Sequence, residues 1–325
     1  MPCLLDAWLA RSVGIAAASP DLPARLAAHQ MAAVARTLAR ARRSRFHARH
    51  LASCGVEDSD VFRNRADLTR IPFTSAEDLR ETAWRELLCV SLDDVARMVT
   101  LHTSGSTGQP KRLAFSVGDL ERTLDFFATG MQIPARPGDT VLVLLPGAAT
   151  PGGVADLLIR ALQRFGARGI AGNPQADPAG FLEELRLHAP RCLVAAPRQL
   201  QRLLASGPLR AETAAAARAC LRSLLSSAEP LPDTLRKALG ATWGCDVFDH
   251  WGMTETGYGG GVECACHDGY HLRETDLLVE IVDPLSGAPL PDGSPGEIVI
   301  TTLTREAMPL IRYRTGDVAA LLPGP

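Results

Sequence analysis

Hydrophobic and polar positions follow two regimes along this chain. Up to residue 275, short apolar runs of strand length alternate with longer stretches of helical periodicity. The first of these, 23–54, reads as one long helix, with Pro23 in its first turn and Gly55 just past its end. In LTRIPFTSAEDLR (68–80), Pro72 precedes a short helix with Thr74 or Ser75 as N-cap and Glu77 and Asp78 in its first turn. Apolar positions 99–101 and 113–115 flank an uncharged run of small residues, and Pro110 favours an extended backbone over 111–115. Then come a helix (118–130), a strand (140–145) stopped by Pro146 and Gly147, a helix (154–165) and a strand (167–171). A helix (178–188), a strand (192–195), a helix (197–205) and strands at 221–227 and 245–248 complete the series. Such alternation predicts an α/β fold with largely parallel sheets and crossover helices. Ligands in such sheets sit beyond the carboxyl ends of the strands. That makes the loops after Leu145 and Ala195, and the SSAEPLP and DHWGMTET stretches, candidate rims of a pocket. From 277 the pattern changes to LLVEIVD, PGEIVITTL and PLIRYRTGD, a smaller β subdomain with turns at 284–287 and 291–296. The expected division is a helical part (1–100), an α/β core (101–275) and a β-rich part (276–325).

Composition narrows the function classes. A net charge of −2 over 325 residues argues against a nucleic-acid binder that works by bulk electrostatics. The arginines at 40, 42, 43 and 45 have no interleaved aromatics beyond Phe46 and read as a solvated helix face. No apolar run is long enough to span a bilayer, and Asp6 without a basic leader segment argues against a signal peptide. Eight cysteines then read as reduced cytoplasmic thiols or metal ligands rather than disulfides. A homodimer is among the assemblies the sequence allows.

The chemistry centres on LHTSGSTGQPKRLAF (101–115). Thr103, Ser104, Gly105, Ser106, Thr107 and Gly108 offer hydroxyls and permissive backbone, and Lys111 stands at the exit. Successive N–H groups in such a turn form a concave anion site, and glycines let the backbone approach a ligand. The pattern is not a Walker A loop, because Lys111 follows a proline and precedes Arg112 rather than Ser or Thr. It resembles the TSGSTGxPK signature of the adenylate-forming enzymes, the superfamily of acyl-CoA synthetases, adenylation domains and luciferases.

Two further stretches carry that resemblance. Asp249, His250, Trp251, Gly252, Met253, Thr254 and Glu255 are similar to the superfamily's (Y/W)GxTE motif. A hydroxyl beside a carboxylate suits a metal–phosphate site, with Glu255 on Mg²⁺ and Thr254 on a phosphate oxygen. Tyr313-Arg314-Thr315-Gly316-Asp317 is similar to the motif whose aspartate bonds both ribose hydroxyls. Alone, a TGD is a common β-turn, and its meaning here comes from the company it keeps. IPFT…DLR, SAEP, GMTE followed by a glycine-rich turn and VEC, and GYHLRE look most like the phenylacetate-CoA ligase branch.

The resemblance implies that 104–111 cradle the ATP β- and γ-phosphates, with Lys111, Thr254 and Glu255 in catalytic roles. It places Ser227, Ala228, Glu229 and Pro230 along adenine, Asp249 and His250 at its edge, and Asp317 on the ribose. The reaction implied is attack of a carboxylate on the α-phosphorus of ATP, then transfer of the acyl group to coenzyme A. The acid is expected to be aryl or arylacetic. Transfer to a carrier-protein phosphopantetheine, and a lidless nucleotide-binding module without turnover, are the alternatives. Members of the family continue beyond this third motif into a mobile lid bearing a catalytic lysine. The chain reads as the large N-terminal domain without that lid, and alone is expected to bind nucleotide and substrate but to adenylate poorly.

Cys264, Cys266, His267 and His271 are the densest group of metal-ligand types and suit a structural zinc, with Cys245 or His250 available as a further ligand. The spacing is not a standard finger pattern, and reduced thiols on a hairpin are the alternative. Cys3, Cys54, Cys89 and Cys192 read as core filler. The acyl pocket is expected to be walled by 146–153 and 256–261, and nothing in the side chains names the acid.

Overall fold

A computed structural model describes residues 3–57, 61–101, 109–205 and 207–322. Its strands are β1 (Arg97–Leu101), β2 (Lys111–Phe115), β3 (Thr140–Val143), β4 (Arg168–Ala171), β5 (Cys192–Ala195) and β6 (Ser223–Ser226). They continue as β7 (Asp246–Trp251), β8 (Gly261–Glu263), β9 (Tyr270–Leu272), β10 (Leu277–Val282), β11 (Gly296–Thr302) and β12 (Tyr313–Ala319). The described residues fall into two compact units: Met1–Trp8, Leu120–Met253 and Gly257–Leu272 in the first, and Leu9–Asp119, Thr254–Thr256 and Arg273–Pro325 in the second.

The first unit is built on a seven-stranded sheet in the order β4-β3-β5-β6-β7-β8-β9. Strands β3 to β7 pair in parallel, as the alternation of apolar runs and helical stretches implies. Both faces are covered, so β5 and β6 are buried at every position, which is why they read as continuous apolar or small runs. Leu142, Leu193, Leu224, Leu239 and Trp243 form the core beneath one face, with Phe181 tilted against Trp243 at a centroid distance of 5.7 Å. Beyond β7 the sheet turns antiparallel, with the β8–β9 hairpin added at its edge. Helices Arg210–Cys220 and Asp233–Trp243 fill stretches for which the sequence pattern implied no element.

The second unit carries an antiparallel sheet, β10-β11-β12, and a separate β1–β2 pair. Its core gathers Val34, Leu38, Leu51, Leu68, Ile71, Leu278 and Ile311. The long helix expected over 23–54 is two helices, Leu22–Ala41 and Arg45–Ser53. Ser44 is the cause of the break: it adopts extended angles and its hydroxyl accepts the His47 N–H at 3.1 Å, starting a second helix. The arginine cluster is correspondingly less solvated than expected. Arg40 donates to the Arg305 carbonyl at 3.0 Å and Arg42 to the Val56 carbonyl at 2.8 Å, while Arg43 and Arg45 stay exposed.

Of the two N-cap candidates, Ser75 caps helix Ala76–Glu81, in a reciprocal capping box with Asp78. Thr74 bridges to the start of β12, exchanging backbone bonds with Arg312 and Arg314 and giving its hydroxyl to the Ile311 carbonyl at 2.8 Å. The segment read from IPFT thus fastens the strand that carries the third motif.

Candidate active site

Three side chains from distant stretches meet in the second unit. Lys111 opens β2, Glu255 lies in the short 3-10 turn Thr254–Thr256, and Tyr313 opens β12. The Lys111 ammonium pairs with Glu255 Oε1 and lies 3.2 Å from the Tyr313 hydroxyl, which itself donates to the same carboxylate oxygen at 3.1 Å. The side chains of Lys111 and Glu255 are only 13% and 5% exposed. Burial first, and the Glu255 charge second, push the Tyr313 phenol above its ordinary range, so it is a neutral donor. Arg305 steadies the turn by donating to the Glu255 carbonyl at 2.9 Å, and its guanidinium lies 4.6 Å from the centroid of the Phe115 ring. A largely buried carboxylate is tolerable here because a cation and a hydroxyl answer it.

Residues 103–108, the core of the expected phosphate loop, lie outside the described residues. On either side of them, Leu101 and Lys111 face one another at the end of the β1–β2 register. Asp317 sits half-buried in β12, its N–H donating to Thr315 Oγ1 at 3.1 Å. Gly316 before it takes φ +80°, a conformation that glycine adopts freely and other residues rarely do.

The other expected residues lie at the carboxyl ends of β6 and β7, which are neighbours with Ser226 opposite Asp249. Ala228 takes φ +76° and is exposed, as is Pro230, while Glu229 is 3.4 Å from Arg198. Asp249 is buried, and burial pushes its carboxyl up. The Tyr270 hydroxyl donates to Oδ2 at 2.7 Å, and Oδ1 has no hydrogen-bond partner. Beneath it, Glu263 accepts the Asp249 N–H at 2.8 Å and two bonds from Arg236. Although burial opposes it, the guanidinium holds Glu263 below the usual carboxylate range.

His250 is half-buried as a residue, and the burial of its ring pushes it down to about 4, so it is neutral at pH 7. Its Nδ1 lies 3.2 Å from Ser227 Oγ, while Nε2 is buried with no hydrogen-bond partner. The ring borders a pocket of about 410 Å³, part of it open to solvent, lined mainly by apolar side chains, Phe126, Phe127, Met131, Leu145 and Tyr258 among them. Trp251, Gly252 and Met253 do not line it but hold the following turn, where the Met253 carbonyl accepts the Tyr258 N–H at 2.9 Å and the Trp251 carbonyl the Gly260 N–H at 3.0 Å. A Cβ on Gly252 would stand 2.7 Å from the Tyr258 carbonyl, and the Trp251 ring packs on Gly260. Of the expected walls, Tyr258 lines the cavity, but 146–153 do not; Leu145 and Val154 on either side of that turn do. The sequence reading also missed Phe126 and Phe127, whose signal was available as adjacent aromatics on an amphipathic helix, Val117–Gly130.

Residues 13–304 match the sequence model of the AMP-binding enzymes. The chain belongs to that family. It is 31% identical over 278 residues to a phenylacetate-coenzyme A ligase of Escherichia coli strain K12, covering 84% of this chain and 61% of that protein. It is 32% identical over 285 residues to the phenylacetate-coenzyme A ligase of Thermus thermophilus, with 85% and 61% covered. The chain therefore spans about three fifths of the length of these curated relatives. A solved structure of 2-hydroxyisobutyryl-CoA ligase in an open conformation, in complex with 2-HIB-AMP and CoA, shares the fold with a TM-score of 0.77 at 20% identity, covering 92% of this chain and 65% of that one.

The cysteine–histidine group of this AMP-binding enzyme is arranged differently from expectation. Cys264 and His271 do come together, but the third member is Cys3, with one ligand atom from each within 4.8 Å of the others. Cys3 is thus not core filler. His267 points elsewhere, its Nε2 3.0 Å from Asp246 and its Nδ1 3.3 Å from Glu263. Cys266 is exposed beside Cys264, its N–H 3.5 Å from that sulfur. Neither candidate for a further ligand joins them: Cys245 is buried in the hydrophobic core and His250 lines the cavity. All eight cysteines are free thiols, and no helix among the described residues is long and apolar enough to cross a membrane.

Proposed function

We propose that this protein activates a carboxylic acid of aryl or arylacetic type with ATP and passes the acyl group to coenzyme A. The observation that carries this reading is the meeting of Lys111, Glu255 and Tyr313, one from the exit of the loop and one from each of the other two motifs. An ammonium paired with a buried carboxylate suits a triphosphate with its counter-ion. Glu255, an oxygen donor of the hard type Mg²⁺ prefers, fits that ion, which when bound neutralises phosphate charge and orients the leaving group.

In the first step a carboxylate oxygen of the acid bonds to the α-phosphorus as the bond from that phosphorus to the bridging oxygen breaks, releasing pyrophosphate. Lys111 meets negative charge that grows on the phosphate oxygens, and Thr254 donates to the α-phosphate. Asp317 holds the ribose, and the loop at Ser227 to Pro230, with Asp249, borders adenine. In the second step the thiol sulfur of coenzyme A attacks the acyl carbonyl and AMP departs. The apolar cavity beside Phe126 and Phe127 takes the ring of the acid, where the Nε2 of neutral His250 is the polar group available to orient it. Relatives that act on phenylacetate support the aryl preference.

The test is titration calorimetry of Mg–ATP, followed by thermal shift with phenylacetate, benzoate and alkanoates. Binding of ATP that Lys111→Ala weakens at least tenfold, with added stabilisation by the aryl acids, is expected. Equal ATP affinity in wild type and Lys111→Ala overturns the assignment of the site.

A further inference from the structure

Cys3, Cys264 and His271 form a group that the proposed activation chemistry does not use. Cys264 follows β8 and His271 lies within β9 opposite Val262, so the two are diagonal neighbours on the hairpin. Cys3 is brought to them by the chain just before helix Leu4–Ser12. One ligand atom from each lies within 4.8 Å of the others. Asp6 supplies a second, independent feature. Its Oδ1 lies 3.1 Å from His271 Nδ1, while its Oδ2 accepts the Cys3 N–H at 2.8 Å. A carboxylate on one ring nitrogen fixes the tautomer and leaves Nε2 as the ligand, the arrangement that commonly backs a metal-bound histidine.

We propose that this group is a structural zinc site, with Cys3, Cys264 and His271 as three ligands and Cys266 as the fourth. Two or three thiolates with an imidazole are a donor set that selects zinc among the abundant divalent ions. Ligand atoms about 2.0–2.3 Å from a tetrahedral zinc lie roughly 3.3–3.8 Å apart, so atoms already within 4.8 Å need only close by about an ångström. Cys266 is exposed two residues from Cys264, with its thiol against that of Cys264. His267, although adjacent, is occupied by Asp246 and Glu263 and takes no part. The ion clamps the N-terminal segment to the hairpin whose neighbouring residues, Glu263 and Tyr270, hold Asp249 in place.

The experiment uses the whole chain, purified under reducing conditions without added metal. Elemental analysis is expected to find one zinc per chain, lost in Cys264→Ser and in Cys3→Ser. Titration of the chelator-treated wild type with cobalt(II) is expected to give tetrahedral bands and thiolate charge transfer of three-thiolate intensity. That readout needs no variant to fold. Full metal retention in Cys266→Ser, or charge transfer of two-thiolate intensity, removes Cys266 from the ligand set. Absence of zinc together with no cobalt spectrum overturns the site. So does a Cys3–Cys264 disulfide in the non-reducing peptide map of a protein that takes up no cobalt after reduction.

Discussion

At the scale of single residues, the centre is the exchange among Lys111, Glu255 and Tyr313. Tyr313→Phe keeps the buried ring and removes only the hydroxyl between ammonium and carboxylate. It is expected to lower stability by roughly 1.5–3 kcal/mol, read from urea unfolding, because its hydrogen bonds to two charged groups are lost. Asp317→Ala is expected to weaken Mg–ATP by roughly 1.5–3 kcal/mol through loss of charged bonds to the ribose; unchanged affinity by calorimetry would remove the ribose role. Lys111, Glu255 and Asp317 were each legible in the sequence, since each sits in a motif whose residue types suit phosphate, metal or ribose. That Tyr313 completes the ion pair was not. Its partners are more than fifty residues away in the chain, and only packing brings a hydroxyl to them.

At the scale of elements, each strand of the parallel sheet was placed, with ends within three residues of those expected. Burial on both faces leaves continuous apolar or small runs that proline and glycine punctuate. The β8–β9 hairpin entered only as the alternative to a zinc group and its strands were not delimited, because three-residue strands of mixed character have no periodicity to detect. The capping box at Ser75 predicts that Ser75→Ala costs about 1 kcal/mol, visible as a lower melting temperature. Gly130 closes its helix and lines the cavity, where a Cβ would meet only Val262, at 3.2 Å. Gly130→Val is therefore expected to fill part of the cavity and shift acid preference toward smaller acids. Thermal shift with phenylacetate and acetate checks this, and an unchanged ratio would place the acid elsewhere.

At the scale of the whole molecule, each unit contains one histidine held neutral by burial. His47 in the second unit and His250 in the first are both pushed down to about 4. The unfolded chain protonates them near the ordinary 6.5, whereas the folded chain resists until about 4. Their contribution is thus complete above about 6.5 and lost as the pH falls through that window toward 4, roughly 3 kcal/mol for each histidine. Urea unfolding at pH 7 and pH 4.5 is expected to show the loss, and a flat profile would mean that the rings are solvated. Sequence by itself determined the family resemblance, the order of the elements and the three motifs, since local pattern and residue chemistry are properties of contiguous chain. Tertiary structure alone decided that Tyr313 completes the Lys111–Glu255 pair and that Cys3 rather than His267 stands with Cys264 and His271. Those outcomes depend on burial and on contacts between residues far apart in the chain, and no local window contains that information.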